Sequence, residues 1–142
     1  MFVYPSTPTE VISITSLLKS NKSAGYDGIE PKVIQNIIQY IAPPLSDIIS
    51  KSFTQGYVPD KFKIANVIPL HKSDDKCNIS NYRPISVLPV FSKILEKIMY
   101  CRLSNFMKTN NIICSNQYGF REKQSTYIRI RMHCICHINH FH

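Results

Sequence analysis

The only adjacent carboxylates in the chain are Asp74 and Asp75. Clustered carboxylates can hold the divalent ions of two-metal phosphoryl transfer, so this pair is the first place to look for catalysis. Its surroundings, His71-Lys72-Ser73-Asp74-Asp75-Lys76, offset with lysines the negative potential that Mg²⁺ requires, and the pair reads as a solvated turn. A second stretch, His133-Cys134-Ile135-Cys136-His137 with His140 and His142 beyond it, carries the donor types that coordinate zinc. A single residue between the cysteines is short for a zinc site, and composition changes abruptly after Thr126, so a tail without a metal is the simpler reading. Ser23-Ala24-Gly25-Tyr26-Asp27-Gly28 lacks the Gly-Lys-Ser/Thr ending of a phosphate-cradling loop. It reads as a turn between helices, with Gly25 and Gly28 at positive φ and Asp27 bonding nearby backbone. No residue is assigned as catalytic, and none as a metal ligand.

The remaining candidates are basic. Lys61, Lys63, Lys72, Lys76 and Arg83 bracket one short region, with Tyr82 beside Arg83. Ammonium and guanidinium donors so grouped could clamp a triphosphate or a strand backbone. Lysines on a sheet edge also simply prevent aggregation, and composition does not choose between the two. Farther on, Gln117-Tyr118-Gly119-Phe120-Arg121-Glu122-Lys123-Gln124 mixes donors with rings, as a surface under stacked bases would. A loop pinned by Tyr118 and Phe120 has the same composition.

The elements that must position these groups can be read from spacing. Thr7-Pro8-Thr9-Glu10 has the form of a capping box, with Thr7 as N-cap and Glu10 reaching back to it, ahead of a helix over about Pro8 to Lys19. Pro31 opens a second helix with Val33, Ile34, Ile37, Ile38 and Ile41 on one face. Pro43-Pro44 is expected to break or kink it, so that Leu45, Ile48, Ile49 and Phe53 belong to a third helix capped by Gly56. Ile64 to Leu70 and Tyr82 to Leu88 read as strands joined by the polar stretch His71 to Ser80, a long basic hairpin. Its two prolines, Pro69 and Pro84, point to exposed edge strands. Pro89 then opens an amphipathic helix with a stripe of Phe91, Ile94, Leu95, Ile98, Met99, Leu103 and Phe106.

Composition agrees with an α+β module of this kind. The 142 residues fit one domain or a piece of a larger one, and 44% hydrophobic residues supply a core. Up to Asp60 there are 4 lysines against 5 acidic residues, and beyond it 13 Lys and Arg against 4. A basic surface concentrated in the second half suits a polyanionic partner, nucleic acid before an anionic membrane. No apolar run approaches the roughly 18 residues of a spanning helix. Five cysteines and no signal-peptide pattern point to a reducing, intracellular compartment, not a secreted protein.

At Asn81-Tyr82-Arg83-Pro84-Ile85-Ser86, with Leu88, Lys93, Ile94, Glu96 and Lys97 following, the chain resembles the reverse transcriptases of non-LTR (LINE-type) retrotransposons, the jockey-like elements especially. Three further blocks resemble the same family in the same order. They are Ser23-Ala24-Gly25 with Asp27-Gly28-Ile29; Pro59, Lys63, Ala65, Val67, Ile68, Pro69 and Lys72; and Gln117 with Gly119-Phe120-Arg121 and Ser125-Thr126. Phe62 stands where the family commonly has tryptophan, which keeps an aromatic anchor.

The resemblance covers residues 7–126 and implies the fingers of such a polymerase, up to the border of its palm: N-terminal helices, a long β-hairpin, then an amphipathic helix. It implies that Lys72 and Arg83 face the triphosphate of the incoming deoxynucleotide, and that Gln117 and Arg121 lie near the template path. The implied partners are an RNA template, a DNA primer and deoxynucleoside triphosphates, in the cytoplasm, the nucleus or both. Mg²⁺ is implied for the complete enzyme, but the family's aspartate block and Tyr-x-Asp-Asp block do not occur here, so the chain alone is expected to be inactive. Residues 127–142 depart from the pattern and are expected to be an unrelated or frame-altered tail. The alternative is a non-enzymatic basic RNA- or DNA-binding module.

Overall fold

A computed structural model describes residues 4–113. The chain divides into two compact units, residues 1–103 and 104–142. Among its described residues the first carries two helices and most of a third, two short helical turns and a two-stranded antiparallel sheet, a mixed α and β architecture.

Helix α1 spans Pro8–Ser16. Thr7 caps it as the spacing predicts, its Oγ1 accepting from the Glu10 amide at 3.2 Å. The reciprocal half of the capping box is replaced: the Glu10 carboxylate accepts from Ser6 Oγ (3.2 Å) and from Arg102 Nη2 (2.8 Å). A guanidinium offers a charge-assisted bond, stronger than one to a neutral backbone amide. The helix stops three residues before Lys19, because the amides of Leu17 and Leu18 turn back to the carbonyls of Ile14 and Thr15. Gln35 Nε2 then donates to the Thr15 and Leu18 carbonyls at 3.2 and 2.7 Å, tying that end to the next helix.

Helix α2 runs without interruption over Pro31–Gln55, straight through Pro43-Pro44, where sequence predicted a break. Ile34, Ile38, Ala42, Leu45 and Ile49 are buried in steps of three or four residues, so one apolar stripe stays in phase across the prolines. The amides that the prolines lack would have met the carbonyls of Gln39 and Tyr40, both at exposed positions where water can serve instead. Roughly 3 kcal/mol lost per proline is offset by the 1.5–3 kcal/mol gained at each fully buried aliphatic side chain. Of the five residues of the predicted stripe, Val33 and Ile37 stay exposed. Gly56 ends the helix at φ 66°, the left-handed cap that its position suggests.

A single turn, α3 (Asp60–Lys63), follows. Its Phe62 stacks on Phe91 with ring centroids 6.3 Å apart, and its carbonyl accepts from Ser92 Oγ at 2.7 Å, so the aromatic anchor is in place. Strands β1 (Asn66–His71) and β2 (Tyr82–Val87) form the sheet, and α4 (Val90–Thr109) comes next. The core gathers Val11 and Ile14 of α1, the α2 stripe, and Val90, Ile94, Leu95 and Ile98 of α4. Of the two turn glycines, Gly28 has the expected positive φ of 69°, while Gly25 is needed for closeness. A Cβ there would lie 2.6 Å from Pro89 N, so the backbone of the turn can touch the start of α4 only without a side chain. Asp27 Oδ1 accepts from the Ile29 amide at 3.2 Å, as predicted.

In the second unit the last turn of α4 is closed by Asn111 at φ 51°, with the Asn111 amide on the Lys108 carbonyl and the Ile112 amide on the Met107 carbonyl. This is a Schellman arrangement with asparagine in the left-handed position. Among the described residues no helix is long and apolar enough to cross a membrane. Gln117, Arg121, the His/Cys cluster from His133 and the tail 127–142 lie outside the described residues.

Candidate nucleic-acid interface

The hairpin is built by strict register. Asn66 pairs with Val87, Ile68 with Ile85, Leu70 with Arg83 and His71 with Tyr82, and the ladder continues one step further through Lys72 N to Asn81 O at 2.8 Å. Pro69 stands opposite Pro84, and both strands are edges, where a missing amide donor is tolerated. Residues of an antiparallel pair alternate between the two faces. One face therefore holds Asn66, Ile68, Leu70, Arg83, Ile85 and Val87, and Lys72 extends it; the other holds His71 edge-on to Tyr82, ring centroids 5.2 Å apart. Lys72 and Arg83 are thus brought to the same end of the same face, on adjacent strands.

The connection between the strands is fastened by its own polar groups. Asp75 Oδ1 accepts from the Cys77 amide at 2.9 Å, the Asp75 carbonyl from Asn81 Nδ2 at 2.8 Å, and the Lys76 carbonyl from Tyr82 OH at 2.9 Å. Asn78 Oδ1 caps a short 3-10 turn over Ile79–Asn81 through the Ser80 amide. Asp74, at φ 66°, receives Ser73 OH on its carboxylate and places its carbonyl 3.1 Å from His71 Nε2. Both carboxylates of the pair serve the turn, with Lys72 and Lys76 beside them. This donor set does not fit Mg²⁺, and among the described residues no cluster of three or more ligating side chains occurs.

The basic residues divide by engagement. Lys63 is committed locally: its Nζ lies 2.9 Å from Asp60 Oδ1 and over the Tyr57 ring. The hydrogen bond and charge of Lys63 hold the Asp60 carboxyl below the usual carboxylate range, and the same bond raises Lys63. The side chains of Lys72, Lys76 and Arg83 are exposed and have no ion pair or hydrogen bond among the described residues. They are donors open to an anion.

The structure adds cations that the linear reading does not collect. The Arg83 face forms one wall of a cleft of about 470 Å³ whose other lining includes Leu18, Lys19, Lys22 and Lys93. These three lysines come from the turn after α1 and the first turns of α4. The sequence distance of Lys19 and Lys22 from the hairpin leaves no local signal, and only the folding of the 17–30 turn brings them to the hairpin and to Lys93, which follows closely on β2.

Comparison with known proteins gives a consistent relationship. Residues 70–139 match the family model described as reverse transcriptase (RNA-dependent DNA polymerase), a stretch that takes in β2, α4 and part of the segment after Thr126. The chain is 36% identical over 115 residues, 80% of its length, to a 115 kDa protein in type-1 retrotransposable element R1DM of Drosophila melanogaster. It is 29% identical over 121 residues, 84% of its length, to the RNA-directed DNA polymerase from mobile element jockey of the same fly. It is 32% identical over 119 residues, 82% of its length, to the retrovirus-related Pol polyprotein from type-1 retrotransposable element R1 of Bradysia coprophila. It spans 11, 13 and 12% of these three relatives. The chain belongs to the reverse transcriptase family of non-LTR retrotransposons.

Proposed function

We propose that this chain forms part of the fingers of an RNA-directed DNA polymerase of a mobile element, and that its basic hairpin holds the triphosphate of an incoming deoxynucleotide. The observation that carries the reading is the shared end of one hairpin face by Lys72 and Arg83, both exposed and unpaired among the described residues. A guanidinium fork beside a mobile ammonium is a donor set suited to phosphate oxygens. Gln117 and Arg121 are assigned to the template path on the family resemblance alone. The RNA template and DNA primer are the remaining partners, and the site of action is the cytoplasm, the nucleus or both.

Mg²⁺ would belong to the complete enzyme, whose metal-holding carboxylates are not among the residues of this chain. Primer extension by the purified chain, with Mg²⁺ or Mn²⁺ present, is therefore expected to yield no product; extension would overturn the predicted inactivity. The binding role is tested by titrating the chain with an RNA–DNA primer–template across a salt series, with and without the deoxynucleoside triphosphate complementary to the next template base. Nucleotide-dependent tightening, abolished by Arg83→Ala or Lys72→Ala, is the expected result. Binding with a steep salt slope that ignores both the nucleotide and these substitutions would favour the non-enzymatic RNA- or DNA-binding module. The unpaired Lys19, Lys22 and Lys93 give that second reading its support.

A further inference from the structure

The cleft beside the hairpin has a chemistry of its own. Its floor is aliphatic: Ile68, Leu70 and Ile85 remain 46, 57 and 43% exposed, on a face that most hairpins of this size would cover or make polar. Its rim is Lys19, Lys22 and Lys93, and among the described residues its lining contains neither a carboxylate nor an aromatic ring. None of the three lysines has an ion pair among the described residues. Three uncompensated positive charges around a recessed aliphatic floor define the partner by complementarity: it must bring negative charge and branched apolar side chains together.

We propose that this cleft docks an acidic amphipathic helix of a partner protein. Apolar side chains at helical spacing would settle on Ile68, Leu70 and Ile85, and flanking glutamates would meet the lysine rim. Single-stranded nucleic acid is the weaker occupant, because it draws much of its affinity from stacking on rings, and the described residues of the lining include none. A small anion would satisfy the lysines and leave the aliphatic floor bare to water. The proposal uses residues other than Lys72 and stands whether or not the hairpin binds nucleotide.

The test uses the full chain and a fluorescent synthetic helix of about 18 residues, five turns, with leucine along one face and glutamate flanking it. The control peptide has the same composition with the leucines permuted out of register. The designed peptide is expected to bind, and the permuted one at least about tenfold more weakly. Leu70→Ser, and separately the pair Lys19→Glu and Lys22→Glu, are each expected to weaken binding about tenfold, while Lys72→Ala leaves it within about twofold. Leu70 is solvent-facing, so its substitution spares the core; circular dichroism checks each variant, and Ile85→Ser replaces any that unfolds. Failure of the designed peptide to bind, equal binding of both peptides, or indifference to Leu70→Ser would overturn the proposal. So would a uridine oligonucleotide or an anionic phospholipid vesicle that binds the chain with an affinity lowered by Leu70→Ser, since the floor would then serve a nucleic acid or a lipid.

Discussion

Arg102 and Glu10 are separated by 92 positions, yet the Arg102 guanidinium sits 2.8 Å from the Glu10 carboxylate with both side chains mostly buried. The same guanidinium donates to the carbonyls of Tyr4 and Pro5 and lies over the Phe53 ring at 5.1 Å. One side chain of α4 thereby holds the N-terminal approach to α1 against α2, and the Ser6 amide adds a bond to Ser50 Oγ at 2.8 Å. Arg102→Ala should cost about 2–3 kcal/mol, because it removes charged hydrogen bonds and leaves the partly buried Glu10 carboxylate to the neutral Ser6 hydroxyl. Arg102→Lys should recover only part of this, since an ammonium cannot reproduce the fork. Urea denaturation of the three proteins, compared at constant m, measures both.

Gly25 separates two uses of glycine. Gly25→Ala places a methyl group 2.6 Å from Pro89 N, against backbone that cannot rotate away, and an overpacking cost of about 1–3 kcal/mol is expected. Gly28→Ala meets no atom within 4 Å and pays only for its positive φ, about 1 kcal/mol. Thermal melts should rank the first substitution as the more damaging, and the reverse order would remove the turn-to-α4 contact as its reason.

The paired prolines of α2 offer a substitution in the stabilising direction. Both rings are exposed, so replacing Pro43 and Pro44 by alanine removes no core contact while restoring two amide donors. The double variant should gain about 1–3 kcal/mol, the helical benefit being reduced by the greater freedom of the unfolded chain. A rise in the denaturation midpoint and in helical ellipticity is the expected outcome.

The exposed pair in α3 sets a modest pH dependence. Asp60 titrates below its usual range, so its contribution is present above the unfolded carboxylate value and disappears as pH falls through the lower folded one. Lys63 titrates above its usual value, so its contribution is present below about pH 10 and disappears as pH rises through the folded value. Carbon-13 NMR of the Asp60 carboxyl should show the low titration in the native chain and its return to the ordinary range in Lys63→Gln. Salt should narrow the difference, because the pair lies in solvent.

Much of the secondary structure is legible in the linear order. The Thr7 cap, the Gly56 stop, the proline-bearing strands and the α4 stripe at Ile94, Leu95 and Ile98 each follow from local chemistry, because caps, turns and periodicity act over a few residues, whereas Leu103 of the expected stripe is exposed. The four family blocks are likewise a property of order and spacing alone. Tertiary packing decided what local rules could not: that α2 passes through Pro43-Pro44, since a continuous buried stripe outweighs two missing amides, and that Glu10 answers Arg102 rather than its own cap. It also decided that Gly25 is required by the approach of Pro89 and not by its φ. The same holds for the candidate site, where the sequence names Lys72 and Arg83 but strand register puts them on one face. Lys19 and Lys22 join Lys93 at the rim of the adjoining cleft only because the turn after α1 folds against the hairpin and α4, a proximity that no spacing in the chain encodes.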